Sequence, residues 1–178
     1  MLIKKILCPT DRSENAKTGM AYALSLGREH KAELVFLHVI QFPWKKMASC
    51  RLDEVPVEQW RSQLVVEHLL KVATSELKMF VQTHFRANIP GVSWTIRTSI
   101  GKVSREIVVA AVQQEADCIV IAKRKRGVLP RTFARSISDV VTANAPCPVL
   151  SLCPPQIEHF SSDRGRRLTR QLATLYEF

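Results

Sequence analysis

Glycine is scarce in this chain, and scarcest where a phosphate would need it. The 178 residues hold six glycines, and only Gly127 falls within the stretch 122–136, AKRKRGVLPRTFARS. Glycine permits positive φ and lets backbone N–H groups approach a phosphate closely. A phosphate loop of the usual glycine-lined kind is therefore not expected there. No C-x-x-C pair occurs among the five cysteines, Cys8, Cys50, Cys118, Cys147 and Cys153. Their odd number and spacing argue against both a disulfide framework and a zinc site. Four of them lie in apolar, strand-like contexts, where cysteine serves as a small buried hydrophobe. The five histidines show no H-E-x-x-H or similar ligand spacing, so no metal centre is expected. Apolar runs such as ELVFLHVI are far too short to span a bilayer. The start, MLIKKILCPTD, lacks the apolar core and small-residue cleavage site of a secretory signal. The expectation is a cytoplasmic protein without a membrane partner. No nucleophile elbow, Ser-His-Asp spacing or paired-carboxylate site is legible, so no catalytic residue is assigned and no enzyme is expected.

What is present is charge of one sign. The net charge is +10, and Lys123, Arg124, Lys125, Arg126, Arg131 and Arg135 crowd one segment that contains no acid. Such charge bears on solubility and steering rather than on fold. The later run RGRRLTR is nearly balanced by Glu158, Asp163 and Glu177. The length suits a single domain with a full core.

Apolar spacing alternates along the chain. IKKILC (3–8) is a short run bounded by Pro9. Ala16, Met20, Ala23, Leu24 and Gly27 then follow the spacing of one helix face. Asp11 or Ser13 is suited to cap that helix, and Asp11 with Glu14 resembles a capping box. ELVFLHVI (33–40) is nearly continuous, as in a strand covered on both faces. Residues 41–56 suggest a long loop. A helix is expected over about 57–86, with Val65, Leu69, Val72, Leu77 and Phe80 as its stripe. VSWTIR (92–97) alternates as an edge strand does. A helix at about 102–115 follows, then a strand at 117–123. After the basic segment, Phe133, Ile137, Val140, Val141 and Asn144 fit a helix, and CPVLSLC (147–153) a fifth strand. Strands alternating with helices imply right-handed crossovers and a doubly wound, mostly parallel α/β sheet. Ligands bind such sheets beyond the carboxyl ends of the strands, where strand order reverses. Two junctions should flank that point: PTDRSEN after the first strand and the basic loop after the fourth.

Four segments, KKILCPTDRSENA, AELVFLHVI, ADCIVIAKRKRG and NAPCPVLSL, resemble the universal stress protein family in order and spacing. The resemblance covers about residues 1–153 and leaves 154–178 as a C-terminal tail. It implies a five-stranded parallel sheet of order 3-2-1-4-5 with helices on both faces, and a homodimer formed through the last strand, here Val149–Leu152. The family's ATP-binding branch carries G-x2-G-x9-G-[S/T] after strand four. Those positions fall here on Ala122, Lys125, Arg135 and Ser136, so only the hydroxyl is kept. The turn after strand one, often D-G-S in the family, reads Asp11-Arg12-Ser13.

By this resemblance the nucleotide-facing residues are Thr10, Asp11, Val39, Ala122, Lys123, Lys125, Arg126, Arg135 and Ser136. Each has a plainer role. Asp11 contacts an adenosine or merely stabilises a helix start, and the two stand even. Val39 and His38 suit a buried strand, Ser136 suits a helix cap, and the Lys123–Arg126 run suits a solvated loop. The leading expectation is a stress-response regulatory protein that acts with an unknown protein partner and without normal ATP binding. No cofactor is expected, and ATP is weakened rather than forbidden. The alternatives are an ATP/AMP-binding sensor with slow hydrolysis, and nucleic-acid or other anion binding through the basic loop. The last lacks aromatic residues interleaved for base stacking, apart from Phe133.

Overall fold

Strand β1 (Lys5–Pro9) opens the sheet, followed by α1 (Glu14–His30) and β2 (Glu33–Ile40). Then come α2 (Gln63–His84), β3 (Trp94–Ile100), α3 (Val103–Gln113), β4 (Cys118–Ala122), α4 (Ile137–Asn144) and β5 (Val149–Leu152). This computed structural model describes residues 3–41, 63–123 and 136–153. The strands form one sheet of order β3-β2-β1-β4-β5, parallel throughout, as expected. β3 is an edge strand, as its alternation indicated.

The period-2 pattern sorts the core into two layers. Ile6, Cys8, Leu34, Phe36, Cys118 and Val120 face α1 and α2, where they meet Met20, Leu24, Leu77 and Val81. Leu7, Val35, Leu37, Val39, Ile119 and Ile121 face the other way and pack on Ile107, Ala111 and Val141 of α3 and α4. The central strands are buried on both faces, which is why their sequences are nearly continuous in apolar residues.

The helix starts are specified locally. Ser13 caps α1, its Oγ accepting from the Ala16 N–H at 3.3 Å. The expected Asp11–Glu14 capping box does not form. Asp11 lies two residues before the cap and accepts from the Ser13 N–H at 3.1 Å instead. Glu14 pairs with Lys17 at 2.7 Å. A true capping box appears on α4, where Ser136 and Asp139 bond reciprocally. The predicted face of α1 is buried at every named position.

α2 departs from expectation in part, since Leu77 is buried and Phe80 packs against the core as expected. Its buried stripe is Ala73, Leu77, Val81 and Phe85, continuing past the helix end, while Val72 is exposed. Spacing alone admitted two neighbouring stripes, and the apolar excess on this helix hid which one meets the sheet. Residues 57–62 of the expected helix lie outside the described residues. β3 begins two residues later than expected. Val92 is buried, but its N–H donates to Ile89 O in the turn that precedes the strand. Cys8 and Cys118 are buried as expected, whereas Cys153 is exposed. Burial pushes the Cys8 thiol up to about 12, which makes it inert.

Candidate functional site

Strands β1 and β4 part at their carboxyl ends, and the sequence gives the reason. The Thr10 N–H donates to Leu37 O at 2.8 Å, and the Asp117 N–H donates to Lys5 O at 2.9 Å. Even-numbered residues of β1 therefore address β2, and odd-numbered ones address β4. Pro9 is odd and has no N–H to give. Pairing between β1 and β4 is confined to Ile6↔Cys118 and Leu7↔Ile119. The crevice that results lies where strand order reverses, with β2 on one side of β1 and β4 on the other.

The turn leaving β1 is fixed from several directions. Thr10 is buried. Its Oγ1 donates to Met20 Sδ at 3.2 Å and accepts from the Arg12 N–H at 3.1 Å. Its carbonyl lies 2.9 Å from His38 Nδ1, which must carry the hydrogen because a carbonyl only accepts. His38 is thus the hydrogen-bonded histidine expected of its strand. Asp11 is exposed at the rim. Arg12 sits at φ 61°, the left-handed region that glycine occupies most readily. Its Nη1 bonds Glu76 Oε2 on α2. That hydrogen bond, and then the guanidinium charge, hold the Glu76 carboxyl below the ordinary range, with His38 contributing less.

Val39 is divided between two roles. Its side chain is buried in the α3-facing core. Its backbone lies on the side of β2 that faces β1. The Glu33 N–H donates to Lys4 O at 2.8 Å, so odd residues of β2 address β1. The last β1–β2 pair is Pro9↔Leu37. The N–H and C=O of Val39, the next odd residue, fall beyond that last pair.

Ala122 ends β4, and its methyl is directed at α1. A Cβ placed on Gly19 would stand 3.2 Å from both the Cβ and the N of Ala122. Gly19 on the facing helix leaves the room that the Ala122 methyl takes up. The Lys123 N–H is taken by Leu152 O at 2.7 Å. Ser136 is committed to α4. Its Oγ accepts from the Asp139 N–H at 3.2 Å and lies 2.9 Å from Ser138 Oγ, and its N–H donates to Asp139 Oδ2 at 3.3 Å. The structure gathers Thr10, Asp11, Val39 and Ala122 at the carboxyl ends of three adjacent strands, and Ser136 opens α4. Lys125, Arg126 and Arg135 lie outside the described residues. The sequence placed Arg12 in the turn after strand one but pointed to neither its partner Glu76 nor Gly19 as parts of this region. A glycine in mid-helix on the apolar face was the available signal for Gly19. Among the described residues, no cluster of three or more metal-ligating side chains occurs, and no helix is long and apolar enough to cross a membrane.

A doubly wound parallel sheet with its crevice at the strand-order reversal defines the class. The model of the universal stress protein family matches residues 2–152, and the chain belongs to that family. It is accordingly a stress-response protein. It is 29% identical over 158 residues to a universal stress protein of Methanocaldococcus jannaschii, covering 88% of this chain and 86% of that one. The solved structure of the universal stress protein UspA from Lactobacillus plantarum superposes with a TM-score of 0.63 at 21% identity, covering 85% of this chain and 99% of that one. A universal stress protein in complex with cAMP superposes with a TM-score of 0.56 at 14% identity, covering 87% and 100%. At these identities the structural likeness speaks for the fold.

Proposed function

We propose that this chain is a regulatory dimer of the stress response whose crevice does not hold ATP in the glycine-cradle manner. The observation that carries this reading is the state of Ser136. It is the one position of the G-x2-G-x9-G-[S/T] pattern that keeps its residue, and both its hydroxyl and its N–H are engaged by Asp139. The helix end that would greet a phosphate already has a resident carboxylate. A second, independent contribution comes from sequence. Lys125 and Arg135 stand where glycines would, and a left-handed conformation at a non-glycine residue costs about 1–2 kcal/mol per position. Charge-assisted contacts worth roughly 1.5–3 kcal/mol each offset part of that loss without restoring a main-chain cradle. No catalytic group is assigned, and no metal or cofactor is required.

A nucleotide-sensing role has one observation in its favour. Val39 and the exposed Asp11, the positions that the family resemblance sets against a nucleoside, lie at the carboxyl ends of β2 and β1, and one relative of the same fold was solved with cAMP. The two readings separate on calorimetric titration with magnesium-ATP. Weak binding by the natural chain is expected, with at least a roughly tenfold gain, about 1.4 kcal/mol, in a Lys125→Gly, Arg135→Gly double variant. Tight binding by the natural chain, or no gain in the variant, contradicts the proposal. The dimer is assigned to the β5 edge, where Leu150 is 37% exposed and, among the described residues, only β4 pairs with the strand.

A further inference from the structure

Arg12 does more than occupy a turn. Its backbone is held left-handed by the Thr10 hydroxyl, and its side chain reaches across to α2, where Nη1 meets Glu76. We infer that Arg12 is an exchangeable cation of the crevice. It is paired with Glu76 while the crevice is empty and passes to a phosphate group bound at the carboxyl end of β1, so that occupancy unfastens α2 from the β1–α1 turn.

Four features support this. The turn sits at one of the two junctions flanking the strand-order reversal, where ligands of such sheets bind. The contact to Glu76 is made by one guanidinium nitrogen, and a guanidinium carries five N–H donors in a fork that suits phosphate oxygens. The pair is weakly sheltered, with side-chain exposures of 29% for Arg12 and 48% for Glu76. An ion pair so open to water contributes little, and a phosphate offers more charge and more acceptors. The first turn of α1 adds the N–H groups of Glu14 and Asn15, which have no intrahelical acceptor, while Ser13 serves Ala16 and Lys17. The ligand class is a phosphoanion, either free or as a nucleoside diphosphate. The inference rests on the reading above that cationic side chains, not a glycine cradle, receive phosphate here.

The test is a calorimetric double-mutant cycle on the full chain. Inorganic pyrophosphate and ADP are titrated at one fixed salt concentration into the natural protein, Arg12→Gln, Glu76→Gln and the double variant. Arg12→Gln is expected to weaken both probes about tenfold. Glu76→Gln, which releases the guanidinium, is expected to tighten them about threefold, and to have no effect once Arg12 is gone. Arg12→Gly, which suits the left-handed backbone, should match Arg12→Gln and so exclude misfolding as the cause. Tighter binding of ADP than of pyrophosphate supports a nucleoside diphosphate, and equal binding supports a free phosphoanion. An equal gain from Glu76→Gln in both backgrounds would reduce Glu76 to a field effect and overturn the inference. Equal binding by all variants, or no binding of either probe, overturns it too. Tight magnesium-ATP binding by the natural chain would sink the proposed function instead, and the cycle would still report on Arg12.

Discussion

Gly19 and Ala122 form a matched pair at the end of β4, and substitution should expose the match. A methyl on Gly19 would press on a strand backbone atom as well as a side chain, at 3.2 Å each. A methyl on Gly27 would meet Val92 Cγ1 at 3.3 Å, a side-chain end that moves more easily. Both changes gain helix propensity of about 1 kcal/mol, but overpacking costs about 1–3 kcal/mol. Gly19→Ala should therefore lose about 1 kcal/mol net, while Gly27→Ala should be near neutral. Urea unfolding of both variants checks this, and equal stability would mean that β4 yields to α1. Asp117 provides a test by pH. Its carboxylate accepts the N–H groups of Lys4 and Lys5 at 2.8 and 2.9 Å, and these bonds hold it below the ordinary range. A carboxylate depressed in the folded state stabilises above its unfolded value, near 4, and loses that effect as pH falls through the folded value. Asp117→Asn should be less stable than the natural chain at neutral pH, with the difference shrinking below about pH 4. A difference that persists unchanged into acid would refute the role given to those two bonds.

At the scale of elements, α4 tests how far a short helix depends on its cap. It spans only Ile137–Asn144, and its start is held by the Ser136–Asp139 box. Ser136→Ala should cost about 1 kcal/mol in chemical denaturation, whereas Ser136→Thr should retain most of the stability. A neutral Ser136→Ala would mean that packing of Val141, not the cap, fixes this end. The strands and the first helix were legible because their signals are local. Apolar runs of strand length, the first bounded by Pro9, and a clean five-residue face on α1 admit few other foldings. The stripe of α2 was only partly legible: Leu77 and Phe80 meet the core, while Val72, the neighbour of the buried Ala73, is turned to solvent. The carboxyl-end crevice could be anticipated from strand–helix alternation alone. Its contents were only half legible. Thr10, Asp11 and Val39 were named through the family resemblance, but the Arg12–Glu76 contact joins residues 64 apart and leaves no local pattern. The choice of Ser13 over Asp11 as the cap turns on where the chain enters the helix, which both residues allow on sequence.

At the scale of the whole molecule, two features carry predictions: the β5 edge and the concentrated charge. If β5 is the dimer edge, Leu150→Arg should convert a dimer to a monomer in sedimentation analysis without loss of helical signal. A monomeric natural chain, or an undisturbed dimer in the variant, would contradict that assignment. The charge bears on the central claim. The net charge of +10 is weighted towards the junction after β4, the junction that would carry a triphosphate in a glycine-bearing relative. The most direct measurement is a crystal structure of the chain grown with magnesium-ATP. The account predicts no ordered triphosphate against the main-chain amides of residues 122–136, and any bound phosphate held by side-chain cations instead. A triphosphate lying ordered along those amides would contradict it.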